Sequence, residues 1–264
     1  MHMYEYVLLC EDSMEGILSG VYEAYRFKKE TGIESHDQIH LALQAPDTYR
    51  FFTEYRTVDT DYENADKVIA TIRGRLGEEV YYRLCLAMVS CFPEKADAVY
   101  HTIVLALREN DRMIMDRLGE EWVQRTFRYA RASSNELGHM IEFTRFAELE
   151  GGVLYAKINV KHHILPFLMP HFADRLPSEN FMIYDEGTDV YGLHPMRQQW
   201  YLVQGMEIDQ DMLKQTAAEE DYQELFKRFC KTIAIESRTN KRLQTGFLPL
   251  RFRPNMTEFQ TSQD

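Results

Sequence analysis

Three histidines pose the first chemical question. His162 and His163 are adjacent, and His171 follows in a stretch that carries no acid between Gly151 and Ala173. Two turns of helix would bring His163 and His171 close to one face. A histidine metal site usually adds an HxxxH pair or a carboxylate at ligand spacing. Neither accompanies these residues, so no metal is expected, and the cluster reads as one that binds phosphate or stabilises the fold.

Asp185-Glu186 closes the apolar run Phe181-Met182-Ile183-Tyr184. Carboxylates at a strand end can act as general acid or base, which makes Asp185 and Glu186, with His171, the catalytic candidates. Asp before glycine is also ordinary hairpin chemistry. No nucleophile accompanies the pair in the sequence, so the turn reading is preferred.

Two basic segments lack any acid. In 124–135, Arg125, Arg128 and Arg131 recur every three residues; in 237–257, Arg238, Lys241, Arg242, Arg251 and Arg253 are interleaved with Phe247, Phe252 and prolines. Arginine pairs bidentately with phosphate and aromatic rings stack on bases, which is the composition of a nucleic-acid contact. The same arginines would equally serve to pair with acids elsewhere in the chain, tying the tail down. The sequence leaves both readings open.

The formal charge of −12, with most of the acidic excess before residue 150, argues against bulk non-specific binding to nucleic acid. Neither a P-loop nor a GxSxG elbow is present. The turn Cys10-Glu11-Asp12-Ser13 follows a strand and precedes a helix, but it has no glycine cradle and places two acids where a phosphate would sit. A nucleotide-binding strand–helix–strand is therefore rejected, and no cofactor is implied. Cys10, Cys85, Cys91 and Cys230 form no CxxC pair and sit among apolar neighbours, so all four are expected to be buried thiols. No run approaches the roughly 18 apolar residues of a membrane span, and the first residues lack an export pattern. The expectation is a cytoplasmic protein with no membrane partner.

The elements that must position these residues follow from periodicity. Tyr4 to Cys10 reads as a strand, Met14 to Tyr25 as a helix begun by an Asp12/Glu15 capping box, and Gln38 to Leu43 as a second strand. From about 65 to 146 the apolar spacing is helical, with a break at Pro93 and another at Glu109-Asn110-Asp111. Ser133 and Glu136 either restart a helix or lie within a long one. Beyond Phe146, Gly151-Gly152 marks a tight hairpin, Ile164 to Arg175 a short helix, and Glu186-Gly187-Thr188 a second hairpin. A strand near Trp200–Val203 and an amphipathic helix over 222–233 complete the reading. Segregated helices and strands predict an α+β fold, with a helical central region and strands mostly in the C-terminal half. The soft division falls at 145, giving 1–145 and 146–264, with one continuous domain as the alternative.

Several stretches together carry a resemblance: 140–146 (MIEFTRF), 153–158 (VLYAKI), 171–176 (HFADRL), 181–186 (FMIYDE), 233–240 (IAIESRTN) and 248–256 (LPLRFRPNM). The chain resembles an uncharacterised bacterial family labelled as DNA metabolism or DNA repair proteins. The resemblance spans essentially the whole chain and is strongest from Arg145 to Met256. Members of that family are typically encoded beside a radical-SAM protein, and a similar domain is fused to uracil-DNA-glycosylase-like domains. The resemblance thus implies an accessory protein that works with a radical-SAM partner and contacts DNA, without supplying a catalytic residue. Arg145, His162, His163 and Arg175 join the arginines above as candidate nucleic-acid contacts. The alternatives are an enzyme acting directly on damaged nucleic acid, through the region of His171, Asp185 and Glu186, and a purely protein-docking partner.

Overall fold

The computed structural model describes residues 4–46, 48–206, 219 and 250–259. They form an α+β fold with five of the eight strands in the second half of the chain, as the segregated patterns predict. Two compact units, Met1–Ser134 and Asn135–Asp264, divide inside one long helix. No helix among the described residues is long and apolar enough to cross a membrane.

The first unit opens with β1 (Glu5–Leu9), α1 (Met14–Thr31) and β2 (Ile39–Ala42), followed by β3 (Thr53–Thr57). β1 is central and runs parallel to both neighbours, in the order β2-β1-β3. Leu8, Ile39 and Leu41 of the sheet and Ile17, Leu18 and Val21 of α1 are all buried where α1 packs on β1 and β2. β3, Thr-Glu-Tyr-Arg-Thr, escapes sequence reading because an edge strand with no buried residue needs no apolar alternation. The start of α1 also differs from expectation. Ser13, not Asp12, is the N-cap, and its hydroxyl accepts the Gly16 N–H at 2.9 Å. Asp12 is instead committed to an ion pair described below.

Helices α2 (Tyr62–Leu76), α3 (Glu78–Met88) and α4 (Lys95–Glu109) follow. Asp61 caps α2, and Asn110 ends α4 in the left-handed region at φ 50°. α5 (Glu121–Phe143) runs through Ser133 and Glu136 without interruption. The cysteine expectation needs one correction: Cys10 and Cys85 are buried, but Cys91 is exposed, because it follows α3 in the turn before Pro93. Cys230 lies outside the described residues.

The second unit is a five-stranded sheet in the order β4-β5-β6-β7-β8. β4 (Ala147–Leu149) and β5 (Val153–Ile158) form the expected hairpin, turning through Gly151 at φ 101° and Gly152 at φ 75°. α6 (Leu165–Arg175) crosses from β5 to β6 (Asn180–Asp185), which therefore pair in parallel. β7 (Val190–His194) and β8 (Tyr201–Gln204) add antiparallel strands. Leu168, Met169 and Phe172 give α6 its buried face. Met169 packs directly on Gly192 of β7, where a side chain would collide with its sulfur.

A polar clamp in this unit closes on Glu136, which is only 2% exposed along its side chain. Oε2 accepts the backbone N–H groups of Lys161 (3.0 Å) and His162 (2.8 Å), and Oε1 accepts Arg251 Nη2 at 2.6 Å. Removing the carboxylate strands two backbone donors as well as the arginine. Glu136→Ala is expected to cost about 3 kcal/mol, and Arg251→Ala, which leaves both backbone bonds in place, about 1–2 kcal/mol. Urea unfolding of both variants checks the order, which equal losses would contradict.

Candidate functional site

The first turn of α4 fastens the first unit. Lys95, 1% exposed along its side chain, donates to the Ser90 carbonyl at 2.6 Å and pairs with Asp12 at 2.6 Å. A buried ammonium is costly without such partners. The two acids that argued against a phosphate at the β1–α1 turn thus have structural work: Asp12 holds Lys95, and Glu11 accepts the Thr60 hydroxyl.

Two residues further on, Asp97 reaches β2. Its Oδ1 accepts the Leu41 N–H at 3.1 Å, and its Oδ2 accepts from His40 Nδ1 at 3.0 Å. His101, one turn along α4, places Nε2 3.3 Å from Oδ1. That nitrogen is buried and meets the carboxylate without a well-directed hydrogen bond. Burial pushes the Asp97 carboxyl up, but His101 and His40 beside it pull it down more strongly, to about 2. His40 is raised by its hydrogen bond to Asp97, against the effect of burial. The His101 ring stacks on Trp122 at 4.5 Å and 20°.

Further along the same face of α4, at Val104 and Arg108, lies a cavity of about 620 Å³, bounded by α1, α2, α4 and the 3-10 turn His36–Gln38. Tyr22, Tyr25 and His36 supply aromatic surface; Lys28, Lys67, Arg75 and Arg108 outnumber Glu34 and Asp37. Tyr25 and His36 are in ring contact at 4.6 Å, and Lys67 Nζ lies over Tyr22 at 5.4 Å. His36 Nδ1 is 2.6 Å from the hydroxyl of Tyr100, whose ring touches that of His101 at 4.8 Å. A continuous series of rings therefore links the cavity wall to the Asp97 cluster. Burial, reinforced by Lys28 and His101, holds His36 down at about 4, so it is a neutral ring at physiological pH. Burial lifts the Tyr25 phenol to about 12.

The histidines and acids singled out from the sequence do not assemble into one site. Asp185 is fully buried and holds its own hairpin: Oδ1 accepts Gly187 N–H at 3.0 Å and Val160 N–H at 3.4 Å, and Oδ2 accepts the Thr188 hydroxyl at 2.6 Å. Burial still raises its pKa despite these bonds. Glu186 points to solvent and pairs with Lys157 at 2.7 Å. His162 is buried and His163 exposed; His171 contacts Phe172, and its Nε2 is buried without a hydrogen bond. No hydrogen bond or ion pair among the described residues joins Asp185 to His171 or Arg175.

The arginines are likewise dispersed. Arg125 pairs with Glu121 at 2.6 Å and covers Trp122, whereas Arg128 and Arg131 are exposed, Arg128 lying over Tyr129. Arg145 donates to the carbonyls of Glu142 and Thr144, and Arg175 is exposed at the last turn of α6. Arg251 is held by Glu136, and Arg253 lies over Phe259 with its Nε buried and unbonded. Arg238, Arg242, Lys241 and the helix expected over 222–233 lie outside the described residues.

A family model described as a domain of unknown function, DUF4130, matches residues 93–258. The chain belongs to that family. No curated protein matches it. The family span contains Asp97, Tyr100 and His101, and leaves His36, His40, α1 and α2 outside it. The cavity and the Asp97 cluster are thus built jointly by the family region and the segment that precedes it.

Sequence reading missed both features, although one local signal was present: Asp97 and His101 stand four apart on a helix, so they share a face. Their partners His36 and His40 come from a segment more than fifty residues earlier, which only the fold brings near.

Two outcomes are expected. Asp185→Asn keeps an oxygen for the two backbone donors and an amide for the Thr188 hydroxyl, so stability changes by less than about 1 kcal/mol; Asp185→Ala loses about 2–3 kcal/mol. Thermal melts of the two variants distinguish this turn role from a catalytic one, under which both would fold equally well. For His36, the folded ring protonates near 4 and the unfolded ring near its ordinary 6.5. Its stabilising effect is intact above the unfolded value and is lost as pH falls toward the folded one. His36→Gln should accordingly flatten the loss of stability between those two pH values, as read by denaturant unfolding across that range.

Proposed function

We propose that this protein is a nucleic-acid-binding accessory protein of DNA metabolism or repair, acting beside a radical-SAM partner and receiving one nucleotide in the cavity of the first unit. The observation that supports the nucleic-acid part is the cavity's lining. Its volume of about 620 Å³ lies within the range of small-ligand sites. Tyr22, Tyr25 and His36 offer ring faces, and base–aromatic stacking is worth about 1–3 kcal/mol per base. Lys28 and Lys67 stand beside those rings, where they would neutralise the attached phosphate. In a chain of net charge −12, a local excess of cations is a place where a polyanion can be accepted while the remaining surface repels it. The radical-SAM partner and the repair context rest on the family resemblance alone.

The alternative of a nucleic-acid enzyme working through His171, Asp185 and Glu186 has weaker support. Asp185 is occupied by its own turn and Glu186 by Lys157. The arginine tail is also a weaker candidate for the contact, since Arg251 is engaged by Glu136.

Fluorescence anisotropy of a labelled single-stranded oligodeoxynucleotide tests the proposal. Lys28→Ala/Lys67→Ala is expected to weaken binding and to flatten its salt dependence by about 0.7 of a slope unit per lost phosphate contact. Arg251→Ala should lower stability and leave affinity unchanged. Wild-type affinity in the double lysine variant would overturn the reading.

A further inference from the structure

We propose that His40, Asp97 and His101 form a binding site for a divalent first-row transition metal, zinc being the ion to test. This inference is independent of the nucleotide reading. Two imidazoles and one carboxylate are a donor set that suits zinc and its neighbours and poorly suits magnesium or calcium. One ligand atom from each residue lies within 4.8 Å of the other two, so the three converge on a common point.

The independent sign of a ligand is His101 Nε2. It is buried and lies 3.3 Å from a carboxylate oxygen, close enough to lower the Asp97 pKa, yet it does not point along a well-directed hydrogen bond. A structural His–Asp pair would turn the ring until an N–H met the oxygen. Two ligand atoms that approach closely without a well-directed hydrogen bond leave room for a cation held by both. A buried polar nitrogen left unpaired is otherwise costly.

The surroundings are those of a supported site. The Leu41 N–H fixes Asp97 at Oδ1, and stacking on Trp122 fixes the His101 ring. Such outer contacts orient ligands and tune affinity. The side chains of His40 and Asp97 retain 27% and 18% exposure, so a bound ion keeps one side toward water. Three protein ligands with an open position is the pattern of zinc sites that bind or activate a small molecule. Binding displaces the proton of His40 Nδ1 that otherwise bridges to Asp97, and this proton passes to solvent.

The test uses the full, tag-free chain, stripped of metal with a chelator and titrated with zinc chloride by calorimetry. The expected result is one ion per chain, a raised melting temperature on zinc addition, and visible absorption bands of a low-coordinate ion when cobalt(II) replaces zinc. His40→Gln, at a partly exposed position, should fold as the wild type does by circular dichroism and bind zinc at least roughly tenfold more weakly. His101→Gln should do the same, and if it fails to fold, His40→Gln carries the result. Wild-type protein that takes up no stoichiometric zinc or cobalt would overturn the proposal and leave Asp97 as a clasp on His40 and the Leu41 N–H. So would His40→Gln protein that binds zinc as tightly as the wild type.

Discussion

The first turn of α4 is the constraint on which the first unit depends. Within three residues it presents a buried ammonium at Lys95 and a largely buried carboxylate at Asp97, each costly to remove from water alone. Each is offset by partners from a different part of the chain: Asp12 from the β1–α1 turn, and His40 with the Leu41 N–H from β2. Apolar burial along α4 would hold the helix against its neighbours at many small shifts in position. These charges select one position, because a displacement leaves an unpaired charge in the core.

That selection has two consequences along the helix. In its first turns, Asp97 and His101 meet His40. In its later turns, Val104, Leu107 and Arg108 supply a wall of the basic, aromatic cavity together with α1 and α2. Tyr100, between Asp97 and His101 in sequence and fully buried, connects His101 to His36 through its ring and hydroxyl. The second unit uses its buried acids differently. Glu136 and Asp185 each collect backbone N–H groups from a turn, which fixes loops around the five-stranded sheet and leaves neither carboxylate free for chemistry.

The parts of the fold that announce themselves by periodicity were legible in the sequence. The hairpin at Gly151-Gly152, the α6 segment and the β6–β7 pair follow from alternation and from turn residues. β3 was not legible, because its residues reach the sheet edge without contributing a buried side chain. Of the site, adjacency misled: His162-His163 and Asp185-Glu186 stand together in the sequence, yet each pair splits between buried and exposed. The Asp97 cluster and the cavity were hidden because each joins α4 to residues near 36–40, a pairing that depends on the β1–α1–β2 crossover rather than on any local pattern.

The central claim is that the cavity beside α4 accepts a nucleotide. It is tested most directly by a crystal structure of the protein grown with a short single-stranded oligodeoxynucleotide. The expected result is a base against the rings of Tyr22, Tyr25 and His36, with its phosphate near Lys28 and Lys67. An oligonucleotide ordered instead along the exposed Arg128 and Arg131 surface, with the cavity holding only solvent, would contradict it.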